Sequence, residues 1–321
     1  MKSSLTIGIP TFNRRDAVLE RMQELFAKPL PSNVSVLVID NHSTDGTFDA
    51  LLEAQREFPE LRVTQNSENL GYAGNLFRLF EEAETDYLLI DSDEDEVLID
   101  KIVDFLEFLD NKKPSFCSPQ AIVFDRVYRG VGKEGVVAPA DFERCSFYLS
   151  GITFNVELGR KACEKVKPLV NKNEAVHVYP QILLVVELLL EGGCVWYPCA
   201  LTVKRQQLHS HIANSDGSAY YHLVGRYRQN LGFIDYISDR ADFFSGDDLK
   251  LSALSRMLVI CKRKLFSDLR SGISHERPEL IEDFDKSARR FYSRSYRIST
   301  LVFRGFKSPK KALAYVWRRL T

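Results

Sequence analysis

Asp91-Ser92-Asp93-Glu94-Asp95 puts four carboxylates into five consecutive positions. The stretch follows Tyr87-Leu88-Leu89-Ile90, a run too apolar to be solvated, so the acids stand at the mouth of a buried strand. Carboxylates crowded there repel one another and are costly unless a cation neutralises them. Oxygen-only ligands suit Mg2+ or Mn2+, and such an ion can also bridge the oxygens of a diphosphate. The same residues allow a second reading, a solvated acidic turn capping a helix from Val97, because acids favour helix N-termini.

The elements that must position these acids are legible in the spacing. Leu5 to Pro10 is a β-branched run closed by proline, and Val34 to Ile39 and Leu61 to Gln65 read as further strands. Between them, helices are predicted over Arg15 to Lys28 (Val18, Leu19, Met22, Leu25 and Phe26 at helical spacing) and Thr44 to Phe58. Asn75 to Ala83 and Val97 to Leu109 are also predicted helical, on either side of the strand Tyr87 to Ile90. Strands alternating with helices imply a mostly parallel sheet covered on both faces, with ligands bound outside the carboxyl ends of its strands. Three polar clusters fall at those ends: Thr11 to Arg14, Asp40 to Asp45, and Asp91 to Asp95. They are expected to converge on one rim.

From about Lys113 to Pro198 the pattern loosens into mixed strands with one clear helix, Tyr179 to Glu191, ended by Gly192-Gly193; Val195 to Tyr197 reads as a short strand. After about Ser218 the chain reads as largely helical. The expected organisation is a domain over 1–215, with a nucleotide-binding half at 1–112 and an acceptor half at 113–215, followed by a helical, basic region over 216–321.

Composition narrows the class. An apolar share of 45% with 27% charged residues is that of a soluble globular protein. Six cysteines without a CxxC pair argue against a zinc site or a disulfide framework and suit a reducing cytosol. The chain enters a strand directly after Met1-Lys2-Ser3-Ser4, which predicts no signal peptide. The apolar run Ile182 to Leu190, broken by Glu187, is too short to span a membrane, for which about 20 residues are needed. The net charge of -1 hides an asymmetry: residues 286–321 carry 11 Lys/Arg and no acid, leaving 32 basic and 44 acidic side chains elsewhere. In that tail the basic residues interleave with aromatics such as Phe291, Tyr296, Phe303 and Trp317. Such a pattern suits a peripheral contact with anionic lipid at the inner face of a membrane, or a helix packed on the acidic body. Nothing else in the chain resembles a nucleic-acid module.

The residues also carry a family resemblance. IGIPTFNRR at 7–15, VLVIDNHSTDGT at 36–47, NLGYAGN at 69–75 and LIDSDEDE at 89–96 occur in the order and at the spacing of family 2 glycosyltransferases of the GT-A fold, a Rossmann-like α/β architecture. The resemblance implies transfer of a sugar from a nucleoside diphosphate, usually UDP, to a hydroxyl of a glycan or lipid-linked acceptor, with a divalent metal and inversion, in surface polysaccharide synthesis. Pro10, Thr11, Phe12 and Arg14 match the loop against the base and phosphates, and Asp40 the acid that binds the base. Asn69, Gly71 and Asn75 match the third motif, near the nucleotide and the sheet core. Aligning Ser92-Asp93-Glu94-Asp95 on the family's Ser-Asp-Asp-Asp form makes Asp93 and Asp95 the metal-side pair; aligning on the strand end makes it Asp91 and Asp93.

The second half departs from the family. The usual Glu-Asp pair that supplies the general base is absent at 173–181, where Glu174 and His177 are the available proton acceptors. Ser150-Gly151 lies where the family has a small-residue loop near donor and acceptor. His209 and His211 alternate after a strand-like segment, and either matches a late histidine that contacts metal or diphosphate in such enzymes; a solvent-facing loop is the other reading. Two alternatives compete. One is a sugar-phosphate nucleotidyltransferase, whose glycine-rich loop IPTFNRR lacks; the other is a non-catalytic module binding sugar nucleotide or glycan, which the missing pair allows.

Overall fold

The computed structural model describes residues 3–123, 126–130, 133–204, 213–244, 246–276, 278–282 and 285. The chain divides into two compact units, residues 1–170 with 179–211 and residues 171–178 with 212–321. The basic tail and the segment holding His209 and His211 lie outside the described residues.

In the first unit the elements are β1 (Leu5–Thr11), α1 (Arg15–Phe26), β2 (Val34–Asp40), α2 (Thr47–Glu57), β3 (Leu61–Gln65), α3 (Gly71–Glu82), β4 (Tyr87–Ile90) and β5 (Asp95–Val97). They continue as α4 (Ile102–Lys112), β6 (Phe116–Val123), β7 (Arg126–Tyr128), β8 (Gly135–Val136), β9 (Thr153–Asn155) and α5 (Val156–Val166). After α6 (Glu174–Val178), which belongs to the second unit, come α7 (Pro180–Glu191) and β10 (Cys194–Lys204). The second unit is completed by α8 (Leu223–Phe243) and α9 (Asp248–Glu276).

Among the described residues the strands form one sheet in the order β3-β2-β1-β4-β9-β6-β10-β5, with β7 on β6 and β8 on β10. The strands β3, β2, β1 and β4 are parallel to one another, and β6 is parallel to β10. β9 runs antiparallel between β4 and β6, and β5 antiparallel on β10. The α/β class and the mostly parallel sheet are those the sequence predicts.

Alternation along β1 shows how the two faces are filled. Ile7 and Ile9 are fully buried in the core shared with Val18, Met22 and Leu25 of α1. Gly8 points the other way, where a Cβ would lie 2.7 Å from Leu88 Cδ1 and 3.1 Å from Leu79 Cδ2, so α3 can lie close to the sheet. Phe154 fills that second side, its ring 5.2 Å from Phe80 and 5.0 Å from Phe116. Gly159 lets α5 approach, because a Cβ there would meet the Phe80 ring at 2.5 Å.

Three differences from the sequence reading have physical causes. No helix starts at Val97: residues 95–97 pair with β10 as an edge strand and α4 begins at Ile102, so the acid stretch is not a helix cap. α3 starts at Gly71, four residues before Asn75, because its first turn is held by side-chain bonds rather than by apolar periodicity. α5 was not foreseen, since only Val156, Gly159, Ala162, Cys163 and Val166 are buried and small residues blur its apolar stripe.

In the second unit α6 is capped by Asn173, whose Oδ1 accepts from Ala175 N at 2.9 Å and whose Nδ2 donates to Gly232 O in α8. α8 and α9 pack through Phe233, Ile237, Leu254 and Leu258, all buried, and Asn230 Nδ2 donates to Asp268 Oδ2 at 2.9 Å. Residues 171–178, within the part the sequence assigns to the first domain, thus group with the helical unit.

Phe154→Ala removes a ring packed on two others between fixed strands. It is expected to lower the unfolding free energy by about 3–5 kcal/mol, measured by urea denaturation.

Candidate functional site

Strand register brings the three clusters together. Thr11 is opposite Asp40 in the β1–β2 ladder and Gly8 is opposite Ile90 in the β1–β4 ladder, with Asp91 N donating to Gly8 O at 2.9 Å. The chains that leave β1, β2 and β4 therefore share one edge of the sheet. Across it, Thr11 Oγ1 donates to Asp93 Oδ2 at 2.8 Å and Arg14 Nη2 lies 2.8 Å from Glu94 Oε1. The first and second loops are joined by Asn13 N to Ser43 Oγ (2.7 Å) and by Thr44 N to Asn13 Oδ1 (2.8 Å), with Asn13 left-handed at φ 51. Pro10, near the end of β1, and Phe12, just after it, are half-buried.

The four acids live in different surroundings. Asp91 is fully buried beside Arg21, whose Nε is 3.6 Å away, and neither carboxylate oxygen has a hydrogen-bond partner. Burial pushes its pKa well above the usual carboxylate range, against the pull of Arg21. Asp95 is 4% exposed; its Oδ2 accepts from Tyr148 Oη at 2.6 Å and from Ser150 Oγ, while its Oδ1 is buried without a partner. The Tyr148 hydroxyl is pushed up by burial and by the charge of Asp95, so it remains a donor. Asp93 is only half-buried, and its carboxyl is raised to about 6 by desolvation, against the Thr11 hydrogen bond and the Arg14 charge. Ser92 sits between, its N–H given to Ser150 Oγ at 3.2 Å.

The second and third motifs are tied together by hydrogen bonds beside this edge. Asp40 is fully buried, and its carboxylate accepts from Ser43 N (3.0 Å), Ser43 Oγ and Gln65 Nε2 (2.8 Å), so in this structure it orders the loop after β2. Behind it runs a chain of amides. Asn66 Nδ2 donates to both Asn41 Oδ1 and Asn75 Oδ1 at 2.9 Å, and Asn75 Nδ2 donates to Ile39 O at 3.1 Å. Asn41 Nδ2 donates to Asn69 Oδ1 at 2.8 Å and to Gly71 O at 3.3 Å. Gly71 holds φ 69, a left-handed conformation natural to glycine. The loops after β2 and β3 are thus tied to α3 by buried amides, which lose heavily if one partner is removed.

Sequence reasoning missed Arg21, Asn41, Asn66, Arg129 and Tyr148. Arg21 had a signal: with Val18, Met22 and Leu25 it lies on the buried stripe of α1, where a charge needs a partner. Asn66 had none, since its partners come from other loops. Glu174 belongs to the second unit, where its Oε1 accepts from Ser215 N (2.7 Å) and its Oε2 from Ser215 Oγ (2.5 Å). His177 is in the same unit, its Nδ1 buried without a hydrogen-bond partner.

Chemically the edge offers hard oxygen donors beside a hydroxyl and a guanidinium. The half-buried Asp93 and the orphaned Asp95 Oδ1 fit a divalent cation that prefers oxygen. Among the described residues no three His, Cys, Asp or Glu side chains are gathered to hold a metal ion. A cation at this edge would therefore take the protein's share of its ligands from one or two carboxylates, as Mg2+ does when phosphates supply the rest.

Residues 6–149 match the family model described as glycosyl transferase family 2. No curated protein matches the chain. Among solved structures, residues 1–349 of S. aureus TarS in complex with UDP-GlcNAc align with a TM-score of 0.63 at 17% identity, covering 85% of this chain and 76% of that one. The mannosyltransferase PcManGT from Pyrobaculum calidifontis, in complex with GDP-Man and Mn2+, aligns with a TM-score of 0.57 at 16% identity, covering 94% and 84%.

Because the Asp93 carboxyl is raised to about 6, above the unfolded value of about 3.9, the folded chain holds an extra proton between those values. Its contribution to stability is full below about pH 4 and is lost as pH rises through about 6. Asp93→Asn removes that loss. The stability of Asp93→Asn relative to the parent, from denaturation in EDTA, is expected to grow from pH 4 to pH 7.

Proposed function

We propose, for a chain that belongs to glycosyl transferase family 2 and has the GT-A fold, that the reaction moves a sugar from a nucleoside-diphosphate sugar to an acceptor hydroxyl. The observation that carries this reading is the convergence of Thr11, Arg14 and Asp93 at the carboxyl ends of β1 and β4. UDP is the proposed nucleotide, supported by the neighbour that binds UDP-GlcNAc; the neighbour that binds GDP-Man makes guanine the competing base.

Thr11 and Arg14 would orient the diphosphate. Arg14 is paired with Glu94 at the rim, and this pair supports a role for its guanidinium toward phosphate oxygens. Asp93, with Asp95 or Asp91 behind it, would hold a divalent cation, which when bound supplies Lewis-acid stabilisation of the leaving diphosphate. Asp40 would serve the base by shaping the loop after β2. A proton acceptor must take the acceptor hydroxyl's proton as that oxygen attacks the anomeric carbon, which inverts the centre. Glu174 and His177 are the candidates the sequence offers, and His209 or His211 could add a contact to metal or diphosphate.

The proposed acceptor is a glycan or lipid-linked glycan of surface polysaccharide synthesis, and the basic 286–321 segment would hold the protein to an anionic inner membrane face. Among the described residues no helix is long and apolar enough to cross a membrane. A non-catalytic sugar-nucleotide module is the second reading, favoured by the engagement of both Glu174 oxygens by Ser215.

Turnover separates the two. With Mn2+ and a panel of UDP- and GDP-sugars, the parent is expected to release nucleoside diphosphate, and Asp93→Ala to lose that release by at least about 100-fold while keeping the parent's circular dichroism spectrum. Undiminished release by Asp93→Ala would refute this placement of the site, and a chain that binds donor without release is a binding module. Glu174→Gln and His177→Asn, assayed alongside, assign the base: the true base loses kcat while the KM for donor stays within about threefold.

A further inference from the structure

One buried cation lies behind the acid stretch. Arg129 follows β7, is 3% exposed and holds a left-handed φ of 60. Its Nε donates to Pro119 O at 2.6 Å, its Nη1 to Tyr148 O at 2.7 Å and its Nη2 to Ser150 O at 2.8 Å. A buried guanidinium is costly to keep, and here these donors grip the main chain of one loop and the middle of β6.

That loop reaches the acids from behind. Ser150 Oγ accepts from Ser92 N at 3.2 Å and donates to Asp95 Oδ2, while Tyr148 Oη donates to the same oxygen at 2.6 Å. Ser92 and Asp95 flank Asp93 and Glu94, so a single hydroxyl holds both ends of the two-residue span. The backbone closes the clamp: Gly151 N donates to Ile90 O at 2.8 Å, and Ile90 N to Ile152 O at 2.9 Å. Gly151 holds a φ of 86, which disfavours any side chain, and a Cβ there would crowd Thr202 Cγ2 at 3.1 Å and Arg129 Nη2 at 3.2 Å.

We propose that Arg129 is a positioning residue for Asp93: by fixing the Tyr148–Ser150 loop it fixes the span that presents Asp93 to a divalent cation. The proposal rests on the reading of Asp93 as a metal-side acid. Groups one layer behind a metal ligand set its orientation, and their loss weakens metal binding about 10- to 100-fold.

The test uses the full chain and the variants Arg129→Lys, Ser150→Ala and Tyr148→Phe. Mn2+ affinity is read by electron paramagnetic resonance in the presence of UDP, and backbone protection over 91–96 by hydrogen exchange. Arg129→Lys and Ser150→Ala are expected to weaken Mn2+ binding by about tenfold or more and to speed exchange over 91–96, with Tyr148→Phe showing a smaller effect. If Arg129→Lys fails to fold, Ser150→Ala and Tyr148→Phe decide, since each removes only an oxygen. Variants that lose thermal stability yet bind Mn2+ as the parent does overturn the proposal, leaving Arg129 a structural residue. A parent chain that takes up no Mn2+ overturns the metal reading together with this one.

Discussion

Negative charge at the mouth of a buried strand is the constraint around which the first unit is arranged. Four acids in five residues follow β4, and each is accommodated differently. Asp91 is pushed toward its neutral form beside Arg21, and Asp95 is held by two hydroxyls. Glu94 is matched by Arg14, and Asp93 is left half-buried with one hydroxyl donor. The outcome is a rim on which Asp93 is half-buried with one hydroxyl donor while Asp91 and Asp95 are buried. Charge that cannot be solvated must be neutralised, protonated or coordinated, and this short stretch draws on the first two while leaving Asp93 available for the third.

The rim is held from two sides. In front, buried amides of Asn41, Asn66 and Asn75 lock the loops after β2 and β3 to α3 and β2, and Asn13 ties the loop after β1 to the loop after β2. Behind, Arg129 and Ser150 lock the loop after β4 to the strand that follows residue 151. Both locks use polar groups away from water, where a hydrogen bond is strong and a missing partner expensive. A site that must orient a charged, flexible ligand gains from such rigidity, because the geometry is set before the ligand arrives.

Much of this was legible in the chain. β-branched runs ending in polar clusters gave β1, β2 and β4, and the parallel sheet followed from their alternation with helices, so the shared edge of Thr11, Asp40 and Asp91 could be read without coordinates. The order and spacing of IPTFNRR, VLVIDNHSTDGT, NLGYAGN and LIDSDEDE pointed to the family. Local spacing could not say that the acids lead into an edge strand, because β5 exists only through its pairing with β10, more than a hundred residues away. It also could not reveal α5, whose buried stripe is made of small residues that mean little until Phe80 packs over Gly159.

The sequence by itself determined the fold class, the rim and the identity of its acids, because strand and helix periodicities and short motifs are local properties of the chain. Only the tertiary structure decided what each acid does there. Asp91, Asp93 and Asp95 are the same residue type two apart, and their difference lies in what packs against them: Arg21 from α1, Thr11 from β1, and Tyr148 with Ser150 from a loop more than fifty residues on. Burial and partners set the charge state of a carboxylate, and both come from segments that meet only once the chain is folded.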